Sequence, residues 1–570
     1  MPELLKIVSS QYKHLPNSKS DFITPRVITG ASILKNETFS FQALYRAEGG
    51  TFCHEVSVWL ETELPAKAWR VDYVPVINTA ASESGKEYES KEPGLFPDML
   101  TPRPVKPEII KVGREQSFYF EKGVDATLNA DAERFQSVWF TINPDSHTLK
   151  AGEYKIRVGL TSLQTNSLIA EDFITLRVID ASLPPQDFYY TNWFHVDCLC
   201  DLFNVKPYSN SFYKIFDRYI KNMTAHRQNT LLLPAFTPPL DTAVGDERMN
   251  VQLVEITNIN GVWKFGFEKM RHFVRHAKKS GIKIFEHCHL FSQWGAKNAP
   301  NIYDRDGKRI FGFDTDASSE EYKVFIQAYL KEFFVFAREE KIEKNLIFHL
   351  SDEPEANQIA NYREAHDRVA ALLEGNPICD AMYDTALYEA GLVDQPILAT
   401  RFLEEYNEER CPSIWIYYTG GDRDPARHAA NRKISNTAAA TRVIGLHMYK
   451  YKALGFLHWA YNFYYDKLSY GFTAPNVCVN TYKALPGIAY LCYPINERGG
   501  GSVTPSIREK LMGEAMDDLR ALKLLESKIG REKTLAICEE KLGEINAYTI
   551  PKGEELRELR ELINEKIRTN

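Results

Sequence analysis

From the first residues to about residue 180, apolar side chains recur at every second position. Phe39, Phe41, Ala43 and Tyr45 alternate with more polar neighbours, as do Val56, Val58 and Leu60, and again Tyr154, Ile156, Val158 and Leu160. Successive strand residues face opposite ways, so a period of two predicts half-buried strands. Lys150-Ala-Gly-Glu153 reads as the turn before one of them. Short strands with no helix between them predict an N-terminal β-sandwich over residues 1–183. The stretch from about 80 to 112, rich in Glu, Ser, Pro and Lys, predicts a long exposed loop.

Asp180-Ala-Ser-Leu-Pro-Pro-Gln186 reads as a linker, and beyond it the pattern changes. Apolar runs at 188–195, 230–234, 282–290, 346–350, 381–384, 397–400, 413–418 and 455–459 predict eight strands. Between them, apolar residues fall at helical spacing. Phe212, Ile215, Phe216, Tyr219, Ile220 and Met223 mark one helix, and Phe267, Met270, Phe273, Val274 and Ala277 a second, closed by Gly281. Ser318 and Ser319, with Glu320 and Glu321 after them, open a third, and 357–374 predicts a fourth. Strand and helix in alternation predict parallel pairing, and eight strands predict a (β/α)8 TIM-like barrel over residues 184–504. An open doubly wound sheet is the weaker alternative, because no glycine-rich phosphate loop follows the first strand. Residues 505–570 predict a charged, helical C-terminal segment.

Composition narrows the function. The chain has 570 residues, 44% hydrophobic and 25% charged, as in a globular protein of several domains. A formal net charge of −7 argues against nucleic acid as a partner. No apolar stretch suits a membrane span, and the N-terminus shows no signal peptide, which makes the cytoplasm the expected setting. The nine cysteines are scattered without a CxxC pair, which gives no zinc module or disulfide framework.

The C-terminal ends of barrel strands carry active sites. The first strand ends with Trp193, His195 and Asp197, the third with His287, His289 and Trp294, and the fourth with His349, Ser351, Asp352, Glu353 and Pro354. The seventh carries Trp415, Tyr417 and Tyr418, and the eighth His458, Trp459, Tyr461 and Asn462. Indoles, imidazoles and two acids suit carbohydrate chemistry. Aromatic faces stack on a sugar ring, polar groups read hydroxyls, and a carboxylic acid protonates the leaving oxygen. Asp352 and Glu353 are therefore the candidate catalytic pair. The bland alternative is an acidic helix start. Trp193, His195, His287, His289, His349, Trp415, Tyr417, Trp459, Tyr461 and Asn462 are candidate substrate contacts. Glu286-His-Cys-His289 would make an incomplete metal site even with Asp197 added, so no metal and no cofactor are expected. Gly499-Gly-Gly501 lacks the lysine and hydroxyl of a phosphate loop.

Phe348-His-Leu-Ser-Asp-Glu-Pro354 resembles the catalytic segment of glycoside hydrolase family 123. Asn431-Arg-Lys-Ile-Ser-Asn436, Arg442, Leu454-Gly-Phe-Leu-His-Trp-Ala-Tyr-Asn462, Leu491-Cys-Tyr-Pro494 and Pro505-Ser-Ile-Arg508 are similar to that family's later barrel region. The resemblance runs from about residue 185 to 525. Cys492 and the His-Cys-His strand depart from it. It implies an exo-acting β-N-acetylgalactosaminidase that retains configuration through the substrate's own acetamido group, acting on a glycan or glycoconjugate. Asp352 would then orient the acetamide, and Glu353 would serve as acid and base. A tyrosine among Tyr417, Tyr418 and Tyr461 would hold the acetamido oxygen. Two readings compete. One is a glycosidase with Glu286, Asp384 or Glu404 as nucleophile, and the other is a carbohydrate-binding protein without catalysis.

Overall fold

The computed structural model describes the chain except for residues 1–3, 17–25, 48–53, 80–87, 107, 113–115, 122–123, 126, 132–133, 239–246, 293–294, 404–405, 419–428, 466–474, 476–484 and 498–499. The fold is mixed α/β, with a β-rich N-terminal region. Two five-stranded sheets there share one apolar core. Phe41, Ala43, Val138 and Phe140 come from one sheet, and Val56, Val58, Ile156, Val158 and Ile174 from the other. The pairing is antiparallel apart from Gly30–Leu34 against Leu168–Ile179.

The loop expected between 80 and 112 is in part a strand. Gly94–Arg103 pairs with Ala66–Val76 along its whole length. It is the outermost strand of its sheet. An edge strand tolerates proline because one row of its backbone groups has no ladder to complete, and Pro97 sits beside the register shift at Asp72/Tyr73. The prolines and charges hid the strand from a reading based on composition.

Eight parallel strands follow. We number them β1 (Tyr189–Asn192), β2 (Thr230–Leu233), β3 (Ile284–His287), β4 (Leu346–Phe348), β5 (Ala381–Met382), β6 (Ile397–Ala399), β7 (Trp415–Tyr417) and β8 (Gly455–His458). β2–β3–β4 form one ladder and β5–β6–β7–β8–β1 another, so β8 lies beside β1. A parallel bridge from Phe348 to Ile378 links β4 to the approach to β5. Between β1 and β2, Asn229 donates its backbone N–H to Tyr190 O at 3.2 Å.

Helices cover these strands. They include α1 (Asn210–Ala225), α2 (Glu268–Lys279), α3 (Glu320–Glu340) and α4 (Ile359–Val369). Ser209 and Ser319 cap α1 and α3 by accepting backbone N–H groups, as serine at a helix start does. Gly281, at φ +105°, ends the turn after α2. An antiparallel pair, Glu255–Ile259 with Val262–Gly266, is inserted after β2. A second, Cys492–Glu497 with Gly500–Pro505, precedes the C-terminal helices α5 (Ile507–Ile529), α6 (Arg531–Leu542) and α7 (Glu555–Thr569). Among the described residues, no helix is long and apolar enough to cross a membrane.

Candidate active site

β4 stops at Phe348, and the chain leaves the sheet through His349, Leu350, Ser351, Asp352 and Glu353. Two anchors fix this exit. On one side Asp380, just before β5, accepts the backbone N–H groups of Leu350 and Ser351, each at 3.1 Å. On the other, Ser351 Oγ donates to Ser292 O at 2.9 Å and accepts the N–H groups of Gly295 and Ala296. Between them the chain makes a bend that a strand does not allow. Glu353 takes φ +44°, in the left-handed region. That costs a residue with a side chain about 1–3 kcal/mol, and the following Pro354 restricts Glu353 further. The strain lets two successive carboxyls leave the strand alternation that would separate them. Asp352 and Glu353 are both half-buried.

Two phenols meet Glu353. Tyr417, the last residue of β7, donates its hydroxyl to Glu353 Oε1 at 2.9 Å, and Tyr383, just past β5, also bonds Glu353. Burial, and then the charge of Glu353, pushes the Tyr417 phenol well above its usual range. Burial and the bond to Glu353 do the same for Tyr383. Both therefore remain neutral donors at physiological pH. Tyr383 was passed over in the sequence, although it lies in the predicted fifth strand.

Beneath the acids lies a buried chain of charges. His349 Nε2 is 3.0 Å from Glu286 Oε2, and its Nδ1 is 3.4 Å from Asp380 Oδ1. Burial lowers the imidazole pKa, but Asp380 and Glu286 together outweigh it and push His349 up to about 9. Glu286 also accepts Thr191 Oγ1 and, at 2.9 Å, Trp193 Nε1. Tyr362 Oη completes Asp380 at 2.5 Å. His289 stacks on His349 with ring centroids 5.1 Å apart, and burial holds it neutral.

Several candidate contacts are spent within the fold. A strand period of two would put His287 and His289 on one face, but β3 ends at His287 and the two rings diverge. His287 engages Cys288 O at 2.6 Å and Tyr329 Oη on α3 at 2.8 Å. Trp415 begins β7, stacks on Tyr189 at 4.5 Å and donates to Gln395. Tyr461 donates to Glu509 on α5 at 2.8 Å and accepts from Asn222 on α1. Asn462 braces the backbone of His195 from both its amide atoms. His195 itself meets Trp459 O at 3.0 Å, and burial with the nearby Arg248 pushes it down to about 4. Trp193 is buried and occupied by Glu286. Trp459 alone among these three indoles stays half-exposed.

Asp197 is paired with Arg248 at 2.7 Å, and no group of three metal-binding side chains occurs among the described residues. Of the possible nucleophiles, Glu286 is fully buried and saturated. Asp384 is exposed and accepts Ala386 N–H at the start of a short helix. Glu404 and Trp294, and Gly499 of the glycine run, lie outside the described residues. Tyr418 is wholly buried against Phe456.

The family model for the glycoside hydrolase 123 catalytic domain matches residues 193–525. A solved family 123 glycoside hydrolase from Clostridium perfringens, analysed for the details of glycolipid glycan hydrolysis, superposes with a TM-score of 0.70 at 13% identity, covering 99% of this chain and 97% of that one. A family 39 glycoside hydrolase from Bacteroides cellulosilyticus reaches a TM-score of 0.32 at 10% identity, over 86% of this chain and 82% of its own, and carries no argument. No curated protein matches the chain.

Proposed function

From the premise that this chain belongs to glycoside hydrolase family 123, and is therefore a glycosidase, we propose that it is a retaining exo-β-N-acetylgalactosaminidase working by substrate assistance. We read β1 to β8 as a closed (β/α)8 barrel and the two N-terminal sheets as a β-sandwich, with Asp352 and Glu353 at the barrel mouth.

The observation that carries the reading is the strained exit from β4, after which two neighbouring acids both act electrostatically on the same two phenols, Tyr383 and Tyr417. A retaining enzyme with its own nucleophile needs two carboxyls on opposed sides of the bond, about 5–5.5 Å apart. Of the described alternatives, Glu286 is saturated and Asp384 is exposed and accepts the Ala386 N–H. Adjacent acids instead suit a substrate that supplies the nucleophile. In this reading Asp352 accepts the acetamide N–H and holds the group as its oxygen bonds to C1. Glu353 gives its proton to the departing glycosidic oxygen as the C1–O bond breaks. Glu353, now a carboxylate, takes a proton from water, whose oxygen opens the oxazolinium ring at C1 and restores the acetamide. Stabilising the developing charge with one fixed group is worth about 3–4 kcal/mol of barrier.

Of the three tyrosines considered, Tyr417 is the one beside Glu353, and Tyr383 joins it. The half-exposed Trp459 is the candidate stacking platform. The partner is a glycan or glycoconjugate. Glycolipid glycans, the subject of the Clostridium perfringens study, belong in any substrate panel.

The test is a pair of aryl glycosides. An aryl β-N-acetylgalactosaminide should turn over and the matching β-galactoside should not, because the latter lacks the internal nucleophile. Equal rates on the two would reject substrate assistance.

A further inference from the structure

A cavity of about 220 Å³ lies at the seam between the N-terminal sheets and α5, remote in sequence from β4. Trp69 and Lys67 enter it from the sheets, Arg227 from the turn after α1, and Lys510, Glu514 and Asp517 from α5. It opens into a wider groove that adds Arg218 and Lys221.

The charges in this cavity are unevenly matched. Arg227 is satisfied by Asp517, Nε to Oδ1 at 2.8 Å and Nη2 to Oδ2 at 2.7 Å. Glu514 binds Arg442 and Ser10. Lys510 is different. It is 9% exposed, its ammonium lies 3.9 Å from the Trp69 ring centroid, and it makes no hydrogen bond or ion pair among the described residues. It also stands in the first turn of α5, after the Ser506 cap, where the helix dipole opposes a cation. Burial pushes its pKa down to about 7. Glu509 and Glu514 pull against this shift but neither bonds the ammonium. A largely buried ammonium without a directly paired carboxylate is costly, and an incoming anion would reduce that cost.

We propose that this cavity is a second ligand site, which receives an oxyanion on Lys510 Nζ, with Trp69 as its apolar wall and Lys67 at the rim. The volume admits a free sulfate or phosphate, or the same group carried on a monosaccharide. The shared chemistry is the oxyanion. Neither Asp352 nor Glu353 lines the cavity, and the proposal does not depend on the reading of the reaction.

The experiment is calorimetric titration and thermal melting of the full-length protein with sodium sulfate, sodium phosphate, a 6-sulfated N-acetylhexosamine and the unsulfated sugar, at fixed ionic strength set with chloride. Saturable binding of the inorganic ions alone assigns a free oxyanion. Tighter binding of the sulfated sugar assigns a saccharide substituent. Either result supports the site if Lys510→Met weakens it by about tenfold or more, the worth of one charge-assisted hydrogen bond. Lys510→Met removes an uncompensated buried charge and should itself melt no lower than the wild type. Lys510→Gln serves as a second variant. No saturable binding to the wild type, or binding unchanged in both variants, would overturn the proposal.

Discussion

Tyr417 Oη donates to Glu353 Oε1 at 2.9 Å, which joins the end of β7 to the exit of β4. Two strands, β5 and β6, lie between these elements in sequence, and β4 and β7 belong to different ladders, so the contact exists only because the fold brings their ends together. A hydrogen bond to a charged group contributes about 1.5–3 kcal/mol. Tyr417→Phe should therefore lower kcat/KM by about 10- to 100-fold and leave the melting temperature nearly unchanged. Steady-state kinetics on an aryl β-N-acetylgalactosaminide would check it. A loss seen only in KM would make the phenol a binding contact with no part in positioning Glu353.

The two acids should fail differently. Glu353→Gln should abolish turnover of substrates with poor leaving groups and spare binding. Asp352→Asn should slow even substrates with good leaving groups, because ring closure is impaired. Rates across aryl leaving groups of graded acidity would separate the two. An identical dependence in both variants would contradict the division of roles.

Glu353 also offers a trade between stability and activity. At φ +44° its backbone is strained. Glu353→Gly relieves the strain, and should raise stability by roughly 1 kcal/mol while destroying activity. Urea denaturation of the inactive variant would show it. A destabilised Glu353→Gly protein would mean that the Tyr417 and Tyr383 contacts outweigh the strain.

Much of this architecture was legible because it rests on local pattern. The apolar runs at 230–234, 346–350 and 455–459 each contain a parallel strand, and Ser319 caps the helix that its hydroxyl predicts. Side-chain direction past a strand end was not legible. His287 and His289 are two residues apart, and the period of two would put them on one face. β3 ends between them, and one ring turns to α3 while the other stacks on His349. Tyr461 and Asn462 look like mouth residues by position, yet their partners, Glu509 and His195, are 48 and 267 residues away. Asp380 and Tyr383 carried no motif, and only the turn after β4 gives them their roles.

The buried His349 should make stability fall in alkali. Its pKa is near 6.5 in the unfolded chain and about 9 in the native one. The native state thus holds a proton that the unfolded state releases. Its contribution is complete below about pH 6.5 and disappears as pH rises through 9. Denaturation free energies at pH 6.5, 8 and 9.5 should decline more steeply for the wild type than for His349→Gln. Lys510 works in the opposite sense, so the comparison with the variant is the informative one. His349→Ala should cost about 3–5 kcal/mol at neutral pH, because it leaves Glu286 and Asp380 buried without their cation.

A buried ion pair ties the N-terminal sheets to α5 and the strands beside it. Asp98, on the edge strand Gly94–Arg103, accepts Arg508 Nε at 3.0 Å and Nη2 at 2.9 Å, and Tyr493 Oη at 2.6 Å. Neither charged side chain is exposed at all. Arg508 Nη1 reaches the carbonyls of Gly487, Tyr490 and Arg432. Arg432 in turn donates to Asn192 at the end of β1 and to His458 at the end of β8. Asp98→Ala strands a buried guanidinium, and should cost about 3–5 kcal/mol and lower activity together. Asp98→Leu combined with Arg508→Met replaces both charges by apolar groups, and should recover most of the lost stability, as buried ion pairs often allow. Activity distinguishes two roles for the pair. If it only joins the sheets to α5, the double variant regains turnover along with stability. If Arg508 also holds the Arg432 carbonyl in place, and through it the ends of β1 and β8, the double variant folds well and stays slow. Melting curves and kcat measured on the single and double variants decide between them.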